Sequence, residues 1–178
     1  MFNTIRQRFR DMRTINALCS GAEKLANATG QKEPGAEHLV LSALELPDGT
    51  ARKAFERIHT DPNGFRAAIA KQYEDALHNI GIALPPDVAM ADDATPVTAG
   101  KGLFKAQASF DTLMQTLYEV KNKKQKTDLA APLLGAHVIL AATTAQYGVA
   151  VRAFRAMGVD PAKLAEAARA EIIASRMA

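Results

Sequence analysis

The chain has 178 residues, 48% of them apolar and 23% charged, enough for a packed core and too few charges for a disordered chain. Twenty-two basic against nineteen acidic side chains leave a net charge of +3, a weak field that excludes general polyanion binding unless the excess is concentrated. The single cysteine, Cys19, excludes an internal disulfide, no run approaches the ~18 apolar residues of a membrane span, and MFNTIRQRFRDMR has no apolar stretch after its charges, so a cytoplasmic protein with no membrane partner is expected.

Helical periodicity dominates and no alternating strand pattern occurs, which predicts an all-α fold. The first helix is expected over Arg10 to Ala28, with Ile15, Leu18, Ala22, Leu25 and Ala26 on one stripe and Gly30 as its stop. Pro34 and Gly35 open a second helix with Leu39, Val40, Ala43 and Leu44 apolar, ended by the turn Pro47-Asp48-Gly49. A short helix follows over Thr50 to Ile58. Asp61-Pro62 reads as an N-cap with proline in the first turn, starting a helix that turns Phe65, Ile69, Tyr73 and Leu77 inward. Residues 80–100, with Pro85, Pro86, Pro96, Gly81 and Gly100, read as a linker. A helix from about Lys101 to Lys123 then buries Phe110, Leu113, Leu117 and Val120. Pro132 to Ala145, Val149 to Met157 and Pro161 to Ser175 complete the pattern.

The later helices repeat the earlier ones. His38 to Pro62 (HLVLSALELPDGTARKAFERIHTDP) aligns without a gap with His137 to Pro161 (HVILAATTAQYGVAVRAFRAMGVDP), 99 residues on. Nine positions are identical, among them His38/His137, Leu41/Leu140, Gly49/Gly148, Phe55/Phe154 and Asp61/Asp160. Identity at one fixed offset marks a duplicated unit. The expected architecture is a pseudo-two-fold double repeat of four-helix units: residues 1–79, a linker over 80–100, and residues 101–178, together one domain of about eight helices. Its seam is expected to leave a shallow groove for apolar side chains, with Glu37 near one end.

The order of these motifs resembles the Clp N-terminal domain, the double helical repeat at the front of Clp-type AAA+ unfoldases. The residues that carry the likeness are Ala36-Glu37-His38-Leu39-Val40-Leu41 with Gly49, Ala51, Ala54, Phe55 and Leu77. In the second copy they are Ala136-His137-Val138-Ile139-Leu140 with Gly148, Ala150, Ala153 and Phe154. The opening Met1-Phe2, the Arg8-Phe9 pair and Pro96-Val97-Thr98 are also similar to the family. The resemblance implies a non-catalytic module that docks adaptors, degradation substrates or peptide-like ligands, with Phe2 and Phe9 on an apolar peptide-accepting surface. It also implies recognition of phosphoarginine at Glu37, whose counterpart in the second copy is Ala136. No phosphate-cradling G-x-x-x-x-G-K-[ST] loop is present: Gly100-Lys101 is followed by Gly102, and Thr95 stands where the first glycine belongs. The chain thus resembles a free-standing N-terminal domain or a fragment of a longer one, suited to act as a decoy or regulator of a full-length unfoldase.

Other constellations carry less. His38 and His137 are the tempting catalytic pair for a hydrolase, but their duplication favours structural histidines at helix starts. There is no H-E-x-x-H, no cysteine cluster and no G-x-S-x-G, so neither a metal, a cofactor nor a serine nucleophile is expected. Cys19 reads as a small core residue. Lys121, Lys123, Lys124 and Lys126 form a basic run; a solvated helix end is the plain reading, and an acidic partner or nucleic acid the alternative.

Overall fold

The computed structural model describes residues 2–79, 104–122 and 132–176, with 2–4 and 122 described as backbone alone. Among the described residues there are eight α-helices and no strand: α1 (Phe2–Ala28), α2 (Ala36–Leu44), α3 (Thr50–Arg57), α4 (Gly64–Asn79), α5 (Ala108–Asn122), α6 (Gly135–Ala142), α7 (Val149–Ala156) and α8 (Pro161–Ala174). The linker over 80–100 and Pro96-Val97-Thr98 lie outside the described residues.

The elements recur in the same order in both halves, and matching positions use matching physics. His38 and His137 each sit in the first turn of α2 and α6, and each ring Nδ1 accepts a backbone N–H three residues back, from Gly35 at 3.0 Å and from Leu134 at 3.1 Å. That bond satisfies an amide that the helix cannot reach, worth roughly 1 kcal/mol net each. Gly49 and Gly148 precede α3 and α7 with φ of 65° and 114°, where a Cβ would be strained.

The two units interlock rather than abut. α2 packs on α6, α3 on α6 and α8, and α4 on α7. Phe55 and Phe154, related by the repeat, meet at the centre with ring centroids 6.0 Å apart, and Phe65 packs on Phe154 at 5.0 Å. All three are fully buried, and such tilted pairs add about 0.5–1.5 kcal/mol beyond the area they bury. Buried Glu171 of α8 takes an ion pair from Arg57 of α3, across the seam.

Several boundaries differ from the sequence reading. α1 begins at Phe2 rather than Arg10, because nothing in FNTIRQRF breaks a helix. Ile15 is 37% exposed, while Leu18, Ala22, Leu25 and Ala26 are buried: the helix meets the body squarely only from Leu18 onward. The Asp61-Pro62 pair does not start α4 directly. Asp61 Oδ1 accepts the Asn63 N–H at 2.9 Å in a turn, and the helix begins at Gly64. Asp160 does cap α8, accepting the Ala162 N–H at 2.8 Å. α5 begins at Ala108, not Lys101; Phe110, Leu113 and Leu117 are buried and Val120 half-buried.

Two repeat-related grooves as the candidate functional site

Two open cavities of about 460 and 470 Å³ lie on the surface of the double repeat. The first is lined by Arg10, Arg13, Thr14 and Ala17 of α1, by Leu46, Pro47 and Asp48 of the α2–α3 turn, and by Pro132, Leu133 and Leu134 before α6. The second is lined by Ser109, Thr112, Leu113 and Thr116 of α5, by Ala145, Gln146 and Tyr147 of the α6–α7 turn, and by Ala36 at the start of α2. The same 99-residue offset that relates His38 to His137 relates Arg10 to Ser109, Arg13 to Thr112, Thr14 to Leu113, Ala17 to Thr116, and Leu46-Pro47-Asp48 to Ala145-Gln146-Tyr147. They are one groove made twice, each built from one unit's first helix and turn and closed by the entry to the other unit's second helix.

Their chemistry has diverged. In the first groove the Asp48 carboxylate is spent internally. Its Oδ1 accepts the Thr50 backbone N–H and hydroxyl, and its Oδ2 accepts the Gly135 N–H at 3.1 Å. Thr50 Oγ1 in turn accepts the Ala136 N–H at 2.9 Å, so two residues of the first unit cap α6 of the second. Arg10 and Arg13 make no side-chain hydrogen bond or ion pair among the described residues, leaving two guanidinium groups over an apolar floor. Among the described residues no charged side chain lines the second groove. Its floor is Leu113, Ala141, Ala142, Ala150 and Val151, and its rim carries hydroxyls of Ser109, Thr112, Thr116, Thr144 and Tyr147, the last 86% exposed. Ser109 Oγ accepts the Ala36 N–H at 3.2 Å, a lighter version of the cap made by Thr50 on α6.

Residues 13–97 match the family of the Clp repeat (R) N-terminal domain. Over these residues the chain is a Clp N-terminal domain. The match covers the first unit from residue 13 and runs into the linker, and the helical order of the second unit repeats that of the first. No curated protein and no solved structure gives a significant match. Clp N-terminal domains are all-α, non-catalytic binding domains that engage adaptors and substrates.

The residues singled out in sequence fall in different places on this Clp domain. Glu37 lines neither groove. It is 2% exposed, and its Oε1 accepts the Tyr73 Oη–H at 2.8 Å. Its 3.4 Å approach to His38 Nδ1 is not an ion pair, because that nitrogen accepts an N–H and the ring is neutral. Burial holds His38 below its ordinary range, against the attraction of Glu37 and with a smaller push from Arg66. Burial pushes the Tyr73 phenol up to about 12; a hydrogen bond with Gln31 opposes this, and donation to Glu37 adds to it. Phe9 is 63% exposed and lies with Arg6, Arg10 and Arg13 around an open dish beside the first groove. Phe2 is in α1, its side chain outside the described residues. Gly49, Phe55 and Phe154 belong to the framework beneath the grooves, and Gly148 lines the second. Cys19 is half-buried, its thiol raised first by burial and then by Glu23, so it is no ready nucleophile. Lys121 reaches Asp11 at 3.3 Å, which occupies the start of the basic run; Lys123, Lys124 and Lys126 lie outside the described residues. Arg10, Arg13 and the hydroxyl rim of the second groove were missed in the sequence. Their signal was positional: an offset of 99 carried back from the turns to the preceding helices.

Proposed function

We propose that this chain is a docking module of a Clp proteolytic system whose two grooves select different segments of adaptors, degradation substrates or peptide-like ligands. The first groove takes a segment with an acidic residue beside apolar ones, the carboxylate meeting Arg10 and Arg13 while the apolar side chain fills the floor. The second takes an uncharged segment with small apolar side chains, held by hydroxyl contacts. The observation that carries this reading is the 99-residue correspondence of the two linings with opposite polar content. Affinity is modest, as suits small open grooves and reversible recruitment. Where such a module acts apart from an ATPase, it would serve as a decoy or regulator of a full-length unfoldase by sequestering its ligands.

Calorimetry with a short Asp-Leu-rich peptide and its Asn-Leu counterpart tests this. The acidic peptide binds the wild type more tightly, and Arg10→Gln/Arg13→Gln removes most of the difference, roughly tenfold or more for two charge-assisted contacts. Equal binding of both peptides to both proteins would contradict it. Free phosphoarginine is a second probe. With Glu37 buried and occupied by Tyr73, gripping a guanidinium there requires Tyr73 to leave. Binding that appears or strengthens in Tyr73→Phe and vanishes in Glu37→Gln is the outcome expected if Glu37 serves that ligand; unchanged binding in Glu37→Gln excludes it.

A further inference from the structure

We propose that the outward face of α1 lies on an anionic phospholipid surface. Ile5, Phe9 and Met12 are 51%, 63% and 59% exposed. At about 100° per residue they fall within a ~60° arc, pointing away from Leu18, Ala22 and Leu25, which bind the same helix to the body. Arg8 flanks one side of the arc, and Arg6 and Arg13 flank the other. None of these, nor Arg10, has a hydrogen-bonding or ionic side-chain partner among the described residues.

Residues 1–16 hold four arginines and one acid, Asp11; in the rest of the chain basic and acidic residues are equal in number, so the whole net charge sits on this helix. Asp11 faces inward, where its Oδ1 accepts the Leu133 N–H at 2.7 Å and its Oδ2 meets Lys121 at 3.3 Å. That clamp fixes the helix on the second unit and keeps the stripe outward.

No helix among the described residues is long and apolar enough to cross a bilayer, but lying on one needs no span. An apolar arc between two arginine flanks matches the order of a membrane interface: acyl chains beneath the arc, phosphates at the level of the guanidinium groups. Two other occupants fit less well. A second copy would bring arginine flanks against arginine flanks, and nucleic acid would set phosphates against Phe9 and Met12. The stripe offers a partner's side chains only the open dish among Arg6, Phe9, Arg10 and Arg13, and a fluid interface needs no deeper socket.

The chain has no tryptophan, so Phe9→Trp supplies a single tryptophan, excited selectively near the red edge, at the centre of the stripe. Its emission is expected to shift to the blue with vesicles of phosphatidylglycerol and phosphatidylcholine, and not with phosphatidylcholine alone. The protein should co-sediment with the anionic vesicles and release as salt rises. Arg6→Gln/Arg8→Gln, outside the first groove, should lower partitioning more than tenfold, about fivefold for each arginine. Phe9→Asp, at an exposed position that leaves the helical circular dichroism unchanged, should abolish it. No shift with anionic vesicles at low salt, equal binding to phosphatidylcholine, or wild-type binding by Phe9→Asp would overturn the proposal. So would a Phe9-dependent dimer in analytical ultracentrifugation, which would give the stripe to a second copy, or the same blue shift with polyglutamate in place of vesicles, which would give it to an acidic polypeptide.

Discussion

The starts of α2 and α6 show what duplication keeps and what it releases. Both use a first-turn histidine whose Nδ1 takes a backbone N–H, and neither has replaced it. The residues that finish the cap across the seam have no such uniformity. α6 receives Asp48 and Thr50 from the other unit, whereas the residues at the same offset facing α2 are Tyr147 and Val149, and Ser109 of α5 fills in. A helix start inside one unit answers only to its own backbone geometry. A residue on the seam answers to whatever ligand the adjoining groove meets, and there the two copies are free to differ. The difference between Arg10 with Arg13 and Ser109 with Thr112 follows the same division.

The comparison breaks most visibly at its centre. Phe154→Ala removes the ring that touches both Phe55 and Phe65 and should cost about 3–5 kcal/mol, with Phe55→Ala, which loses one ring contact, less damaging. Denaturant melts of the two variants would show it, and equal losses would deny the asymmetry. Next comes Gly135. A Cβ there would lie 2.8 Å from the Ala43 carbonyl oxygen and 3.0 Å from the Ala51 Cβ, so Gly135→Ala should cost roughly 1–3 kcal/mol. The reverse change at its repeat mate, Ala36→Gly, should cost at most about 1 kcal/mol. Thr50→Val strips the hydroxyl from the α6 cap and should lower stability by about 1–2 kcal/mol, while Val149→Thr should gain little, because α2 already has Ser109.

The smallest effect is a pH dependence. His38 is held below its ordinary value of about 6.5, so the unfolded chain takes the proton first. Its contribution is fully present above pH ~6.5 and is lost as pH falls through and below that value. His38→Asn keeps an acceptor for the Gly35 amide without a titrating ring, so its stability should fall less between pH 7 and pH 5 than that of the wild type.

Much of the framework was legible in the sequence because it is written in residues with few alternatives. Histidine, glycine and phenylalanine recur at one offset, and the helices, their order and the duplicated unit follow. The grooves were less legible. Arg10 and Ser109 share no chemistry, and across the first helices of the two units Leu18 and Leu117 are all that marks the shared register. Only the folded arrangement shows that these helices carry equivalent groove walls. Glu37 misled in the opposite sense. An acid in a first turn reads as a surface group, yet Tyr73, thirty-six residues on, covers and binds it. The sequence pattern marks the first helix only from Arg10, because the apolar residues before it have no stripe in register with Leu18, and helical propensity alone extends α1 to Phe2.

The most direct test of two diverged grooves is an amide-resolved NMR titration of the wild-type protein with the acidic and the uncharged peptide in turn. The account predicts that the acidic peptide shifts Arg13, Leu46 and Leu133, and that the uncharged peptide shifts Thr112, Ala145 and Val151. Both peptides moving the same set of amides, or neither moving any residue that lines the grooves, would contradict it.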